Sequence, residues 1–232
     1  TPKLLLRSKI LKAKSLRLGL HLNLRFLAKF SDKINSDQGT MFTYQVQQFL
    51  DQGIIIMASN LRKMYLSTIL SKLDTPLNQK ILNNYPYLGL YTTTLRPSSY
   101  GGFLKLPFLN AFPYFSPKKE DLSNLKLASI QSCRLLFAAG AEYILLPFSK
   151  PQLVTSFSEA SNYINNADKN DFDFLSVHAM SSLPITNKKL MTNDGRLKGI
   201  SNLYISDGSL LPSTIGESPQ QTIMAFSHYI SE

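Results

Sequence analysis

Asp194-Gly195-Arg196-Leu197-Lys198-Gly199, then Leu203-Tyr204-Ile205-Ser206-Asp207-Gly208-Ser209, then Pro212 and Ser218-Pro219-Gln220-Gln221-Thr222-Ile223-Met224-Ala225, form the stretch on which the fold turns. Leu203 to Ile205 reads as a short strand, and Asp207-Gly208 at its end has the residue types of an ordinary turn. Ser218 suits a helix N-cap, Pro219 the first helical position, and Gln221, three residues after the serine, the far arm of a capping box. This predicts a helix from Pro219 to about Ile230. Its start, with free N–H groups and the positive end of the macrodipole, suits an anion or an electron-rich group.

Upstream, the polar spacer Asn165 to Asp171 separates this stretch from two capped helices. Ser156 with Glu159 three residues later is a capping box for a helix to about Ile164. Pro117 to Ala139 reads as a longer helix, with Ser116 as N-cap, Glu120 and Asp121 in the first turn and Gly140 as the stop. Tyr143 to Leu146 is a strand. Leu61 to Leu73 has helical spacing and stops before Pro76. Strict alternation from Leu16 to Phe26 has the period of a half-buried strand. Phe42, Tyr44 and Val46, then Ile54-Ile55-Ile56, suggest two more. Leu88 to Leu95 and Gly102 to Leu106 flank the turn-rich Arg96 to Gly101, a pattern consistent with a hairpin. No internal repeat or low-complexity tract is visible, and the mixed order of strands and helices implies α+β.

The hydrophobic share of 44% against 17% charged allows a real core, so a globular chain is expected rather than a disordered one. Much of the net charge of +10 comes from one end, where Lys3, Arg7, Lys9, Lys12, Lys14, Arg17, Arg25 and Lys29 meet no acid. Such an end invites a targeting peptide or a nucleic-acid surface. Here the basic residues alternate with leucines and lack interleaved aromatics for base stacking, so a solvated strand face is expected and nucleic acid is not. Cys133 sits in the apolar run Ile130 to Phe137 and reads as core. No run approaches the roughly 20 apolar residues that span a bilayer. The chain opens at Thr1, without an initiator Met and inside an apolar element, and so is expected to be a piece of a longer one.

Three histidines are available for proton chemistry. His178, followed by Ala179-Met180-Ser181-Ser182, has the plain reading of a structural histidine among small residues. His21, on the polar face of the first strand, and His228, late in the last helix, read as surface and helix-terminal groups.

In order and spacing, the segments quoted at the outset resemble the carboxyl-terminal signature of the glucose-methanol-choline flavoprotein oxidoreductases. Thr1-Pro2, Leu4-Leu5-Leu6 and Ser8 resemble the tail of that family's second signature, with Lys9 where it usually has Gly. Ala138-Ala139-Gly140-Ala141 before a strand is similar to a junction in its substrate domain. His178 with Ser181 and Ser182 matches the place of the family's active-site His and its small-residue turn.

The resemblance implies FAD as cofactor and a small-molecule alcohol as substrate, with His178 taking the hydroxyl proton while hydride passes to the flavin N5. It places the start of the last helix, with Pro219, Gln220, Gln221 and Thr222, at the N1 and C2 carbonyl region of the flavin. Asp207 and Gly208 fall where the backbone approaches the ribityl and pyrophosphate portion. Ser218 stands where the family usually has Asn or His as partner of the catalytic His; it can bond a substrate hydroxyl but cannot act as a base at neutral pH, which leaves His178 alone. The implied organisation is 1–15 as the tail of an FAD-domain segment, 16–172 as an antiparallel-sheet substrate domain with flanking helices, and 173–232 as the last strand and helix of the FAD-binding α/β domain. No Gly-x-Gly-x-x-Gly follows a strand, so an upstream segment or a partner chain is expected to supply the pyrophosphate site. The electron acceptor is open. A non-catalytic, partner-dependent remnant is the alternative, and a basic binding domain a more remote one. The aromatic stretch Phe103, Phe108, Phe112, Tyr114 and Phe115 fits either an apolar substrate lining or core packing.

Overall fold

The computed structural model describes residues 1–106 and 109–232, of which 109 and 110 are described by backbone alone; Phe108 lies outside the described residues. In chain order the elements are α1 (Pro2–Arg7), β1 (Gly19–Leu20), β2 (Leu22–Lys29), β3 (Gln45–Val46), β4 (Ile54–Ser59), α2 (Lys63–Leu70), α3 (Thr75–Asn83), β5 (Leu88–Leu95), β6 (Gly102–Leu106), β7 (Leu109–Tyr114), α4 (Lys119–Ala138), β8 (Tyr143–Leu146), β9 (Gln152–Val154), α5 (Phe157–Asn166), β10 (Ala179–Met180) and α6 (Gln220–Ser231). The class is α+β. The chain forms two compact units, one of residues 1–21, 96–121 and 176–232, the other of 22–95 and 122–175. Compactness thus draws 96–121 to the terminal segments, whereas the domain division expected from sequence runs unbroken from 16 to 172.

The second unit is an antiparallel sheet in the order β3-β4-β5-β2-β8-β9. Its centre is the long pairing of β2 with β5, from Leu22↔Leu95 to Lys29↔Leu88. Leu27, Leu88, Leu90 and Leu145 on one face pack against Leu66, Leu70 and Ile81 of α2 and α3. On the other face Thr93, opposite Leu24, bonds the Ser132 hydroxyl of α4 at 2.6 Å. Both faces are therefore covered, which the alternating sequence of β2 does not suggest. Its polar positions are satisfied internally: Asn23 accepts from the Thr94 hydroxyl at 2.7 Å, the Arg25 guanidinium lies 4.2 Å from the Tyr65 ring centroid, and Lys29 pairs with Glu142. Cys133 is fully buried, and burial pushes its thiol pKa up to about 12, as a core cysteine requires.

Several expected elements shift. The run from Leu16 is split at His21, with β1 pairing β10 in the first unit. The hairpin expected from 88–106 does not form, because β5 is bonded on one edge by β2 and on the other by β4, while β6 pairs β7. Of Phe42 to Val46 only Gln45–Val46 is strand. Pro76 opens α3 instead of only ending α2: it sits in the first turn after Asp74, whose side chain accepts from Leu77 N–H at 3.0 Å. Leu203 to Ile205 forms a single bridge, Arg196 opposite Tyr204, flanked by Leu197 N–H to Leu203 C=O and Ile205 N–H to Gly195 C=O, each at 2.9 Å. A strand needs a paired neighbour along its length, and the one beside it here is that short turn segment.

Helix α4 starts at Lys119, two residues later than Pro117, and ends as expected before Gly140, which takes the left-handed φ of 90°. Its start is held by Asp121, which is fully buried. The carboxylate accepts from the N–H of Lys118 at 3.0 Å, from the N–H of Ser98 at 2.7 Å and from the hydroxyls of Ser98 and Ser99. One acid thus caps the helix and closes the 96–121 segment. Burial alone would raise its pKa, but the bonds from Ser99, Lys118 and Ser98 outweigh that and hold it below the usual carboxylate range.

Because the folded-state pKa of Asp121 is depressed, its stabilisation is full above about pH 4 and disappears as the pH falls through the lower folded-state value. Asp121→Asn is expected to cost about 1–3 kcal/mol in urea unfolding at pH 7, with the gap to wild type narrowing in acid.

Candidate active site

The site grows from a two-residue ladder in the first unit. Gly19 lies opposite Met180 and Leu20 opposite Ala179. One step further along an antiparallel register, His21 faces His178. Their rings meet edge to face, with centroids 5.1 Å apart, and Nδ1 of one lies 2.9 Å from Nδ1 of the other. His21 is completely buried and its Nε2 bonds the carbonyl oxygen of Ile215. His178 is half-buried. Both rings are held below the ordinary histidine pKa. For His21 burial dominates, opposed by the Ile215 carbonyl and assisted by the charges of His178 and Arg96; for His178 the cause is burial. The surface role expected for His21 is therefore corrected: β10 and the Ile215 segment cover the face that the alternation assigns to solvent.

The chain after His178 is stitched to the Asp207-Gly208 corner. Ser181 takes a left-handed φ of 58°, a conformation that favours glycine, and is wholly buried. Its N–H bonds the Gly208 carbonyl, and those of Leu183 and Ile185 bond Ser209 and Leu210, each at 2.9 Å. Arg17 locks the turn: Nε donates to the Ser181 carbonyl at 3.0 Å, a terminal nitrogen donates to Pro212, and the guanidinium lies 4.2 Å from the Tyr100 centroid. Beneath, Leu5, Leu16, Leu183, Met191, Leu197, Ile205 and Leu210 form one apolar cluster.

Asp207 spends its carboxylate inside the unit, accepting from Ser209 N–H at 2.9 Å and from the Thr1 hydroxyl. Burial would raise its pKa, and the Thr1 and Ser209 bonds outweigh that to lower it. At Gly208 a Cβ would meet Ile223 Cδ1 at 3.1 Å and the Ala179 carbonyl at 3.3 Å. Packing inside the unit therefore already accounts for this glycine, and it brings the corner, the residue after His178 and α6 together.

Helix α6 starts one residue later than expected. Pro219 occupies the cap position with helical angles, its carbonyl accepts the first helical bond from Ile223 N–H at 2.9 Å, and no side chain caps it. Exposed Ser218 is thus not the N-cap, and among the described residues no hydrogen bond joins it to His178. Gln220, Gln221 and Thr222 carry their amides ahead of that first bond, and no acid lies in the first turn. This donor set fits an electron-rich carbonyl edge such as a flavin presents. Among the described residues no cluster of His, Cys, Asp and Glu could hold a metal ion.

A family model described as GMC oxidoreductase matches residues 109–227, half of the chain and all of the segment from His178 to the start of α6. The chain belongs to the GMC oxidoreductase family. GMC oxidoreductases are FAD-dependent. An uncharacterized GMC-type oxidoreductase of Sinorhizobium fredii is 26% identical over 100% of this chain and 46% of its own length. A Mycobacterium tuberculosis GMC-type oxidoreductase, also uncharacterized, is 27% identical over 48% of the chain and 18% of its own length. Among solved structures, a formate oxidase of Aspergillus oryzae matches with TM-score 0.62 at 12% identity, over 99% of this chain and 49% of its own. A pyridoxine 4-oxidase from Mesorbium loti matches with TM-score 0.54 at 14% identity, over 96% and 44%. These likenesses show a shared fold. The chain spans about half the length of the relative that it matches from end to end.

His21 is the residue that sequence reasoning passed over. The available signal was Gly19, since a glycine inside an alternating strand marks a close approach. A Cβ there would meet Thr214 Oγ1 at 2.7 Å and the Met180 carbonyl at 3.2 Å. Gly19→Ala is expected to destabilise the fold by about 1–3 kcal/mol in urea unfolding, and Thr214→Ala in the same chain to restore part of the loss.

Proposed function

We propose that this chain supplies the active-site base and part of the flavin site of an FAD-dependent oxidoreductase that oxidises a CH–OH group. The observation that carries this reading is His178: half-buried, its pKa lowered by that burial, and fixed on a turn bonded to the Gly208 corner beside α6. A general base for alcohol oxidation needs such a ring, because an imidazole that titrates below neutrality is free to receive a proton at pH 7.

The substrate hydroxyl gives its proton to His178 at Nε2, the ring nitrogen not engaged by His21. The C–H bond breaks with its electron pair leaving as hydride, and the carbon becomes a carbonyl. FAD, when bound, supplies the two-electron acceptor for that hydride. Towards the cofactor the chain offers the amides of Gln220, Gln221 and Thr222, with Pro219 ahead of them and the Asp207-Gly208 corner alongside. Ser218, exposed at this end of the helix, is a hydrogen-bond partner for the substrate hydroxyl and not a second base. The pyrophosphate fingerprint comes from another segment or chain, since no Gly-x-Gly-x-x-Gly occurs in these 232 residues. The Ser218 position favours the second reading, a partner-dependent chain without turnover of its own.

In the full-length, FAD-loaded protein His178→Ala is expected to retain flavin and to lose its reduction by alcohol, by roughly 100-fold or more in stopped-flow absorbance. Normal reduction by that variant would overturn the assignment. In wild type, kcat/KM should rise with pH and level off above a pKa below the ordinary histidine value of about 6.5, since only the unprotonated ring is active and its pKa is lowered.

A further inference from the structure

The partner of His178 is a histidine wedged against a carbonyl, and that arrangement fixes protons. A carbonyl oxygen only accepts, so the Ile215 bond requires the proton of His21 on Nε2. Neutral imidazole has a single N–H, so Nδ1 of His21 then carries a lone pair. The facing Nδ1 of His178, 2.9 Å away, must be the donor. The neutral His178 ring has thereby used its proton, and its Nε2 is left with the lone pair.

We propose that His21 is a positioning residue that sets the tautomer of His178, holding its proton on Nδ1 and so presenting Nε2 as the proton acceptor. The inference rests on the reading of His178 as the base. A free imidazole in water divides its proton between both nitrogens; this pair removes that choice. It also prepares for proton capture. Once Nε2 is protonated, the ring is positive, and its Nδ1–H already points at the lone pair of His21, a charge-assisted bond in place before the charge arrives.

The arrangement works only while His21 is neutral. A second proton on its Nδ1 would turn a donor towards His178, force the proton of that ring onto Nε2 and remove the acceptor. The charged and titratable groups facing His21 are His178 and Arg96, both cationic when charged, so each opposes that second proton. Complete burial of the ring opposes it too.

The test uses the full-length FAD-loaded protein with ¹⁵N-histidine, comparing wild type, His21→Leu and His21→Asn. Leucine removes the acceptor, whereas the Oδ1 of asparagine replaces it. Long-range ¹H–¹⁵N spectra near pH 8 should show wild-type His178 protonated on Nδ1 and bare on Nε2. His21→Leu should reduce its flavin at least about tenfold more slowly, with the acid limb of the rate moved to lower pH because the imidazolium has lost its acceptor. His21→Asn should stay within about threefold of wild type and keep its limb. A wild-type Nε2–H tautomer overturns the proposal, as does a His21→Leu variant that matches wild type, or equal losses in both variants with flavin retained. If His21→Leu does not fold, the wild-type spectrum and the asparagine variant still decide. Failure of the base assignment is separable, because His178→Ala tests it by flavin reduction while the spectrum reads the tautomer in the unaltered site.

Discussion

The antiparallel register Gly19↔Met180 and Leu20↔Ala179 is the constraint from which the site follows. Two residue pairs are a weak ladder by themselves. This one is held at both ends, by the histidine contact beyond Leu20 and by the buried left-handed turn at Ser181. Side chains alternate along a strand, so a slip of one residue would turn His178 to the opposite face and separate it from His21. Gly19 permits the approach and Arg17 ties the far side of the turn to Pro212. Positioning His178 against His21 and building this part of the fold are thus the same set of contacts.

What the sequence made legible was local. Helix α5 forms where Ser156 and Glu159 place it, with Ser156 accepting from Glu159 N–H at 3.1 Å, and β5 spans Leu88–Leu95 as its composition suggests. The end of α4 at Gly140 was equally plain, because a left-handed residue there requires no Cβ. Illegible were the features decided by partners distant in sequence. The start of α4 moved because its cap is assembled by Ser98, Ser99 and Asp121 rather than by Ser116. The apparent hairpin around Arg96 to Gly101 failed because β5 already had two neighbours.

The same distinction governs charge. Alternating basic residues in the first thirty positions read as a solvated face, yet Arg17, Arg25 and Lys29 serve as internal fasteners, on carbonyls, an aromatic ring and a carboxylate. Their long stems cover apolar surface while the head groups find partners. A count of charges gives the field of a protein but not the employment of each cation. His178 stands out in sequence through its company, and the turn that follows it is bonded to one of those accompanying segments, 181 to 208, 183 to 209 and 185 to 210. His21 lies 157 residues away and has no such company.

Why a second histidine, rather than a carboxylate, stands behind His178 follows from the proton balance. An Asp or Glu at that place would fix the same tautomer, but its negative charge would raise the pKa of His178 and leave less of the ring unprotonated near neutral pH. A neutral imidazole accepts the same bond without that penalty, provided that its own proton is held elsewhere, and the Ile215 carbonyl holds it. On the proposed reading, with Ser218 where a second titratable group could stand, the capture of the hydroxyl proton falls to one ring. Burial and the charges of His178 and Arg96 oppose a further proton on His21, which on this reading leaves Nε2 of His178 as the acceptor of the pair. One buried carbonyl thus sets the protonation of both rings.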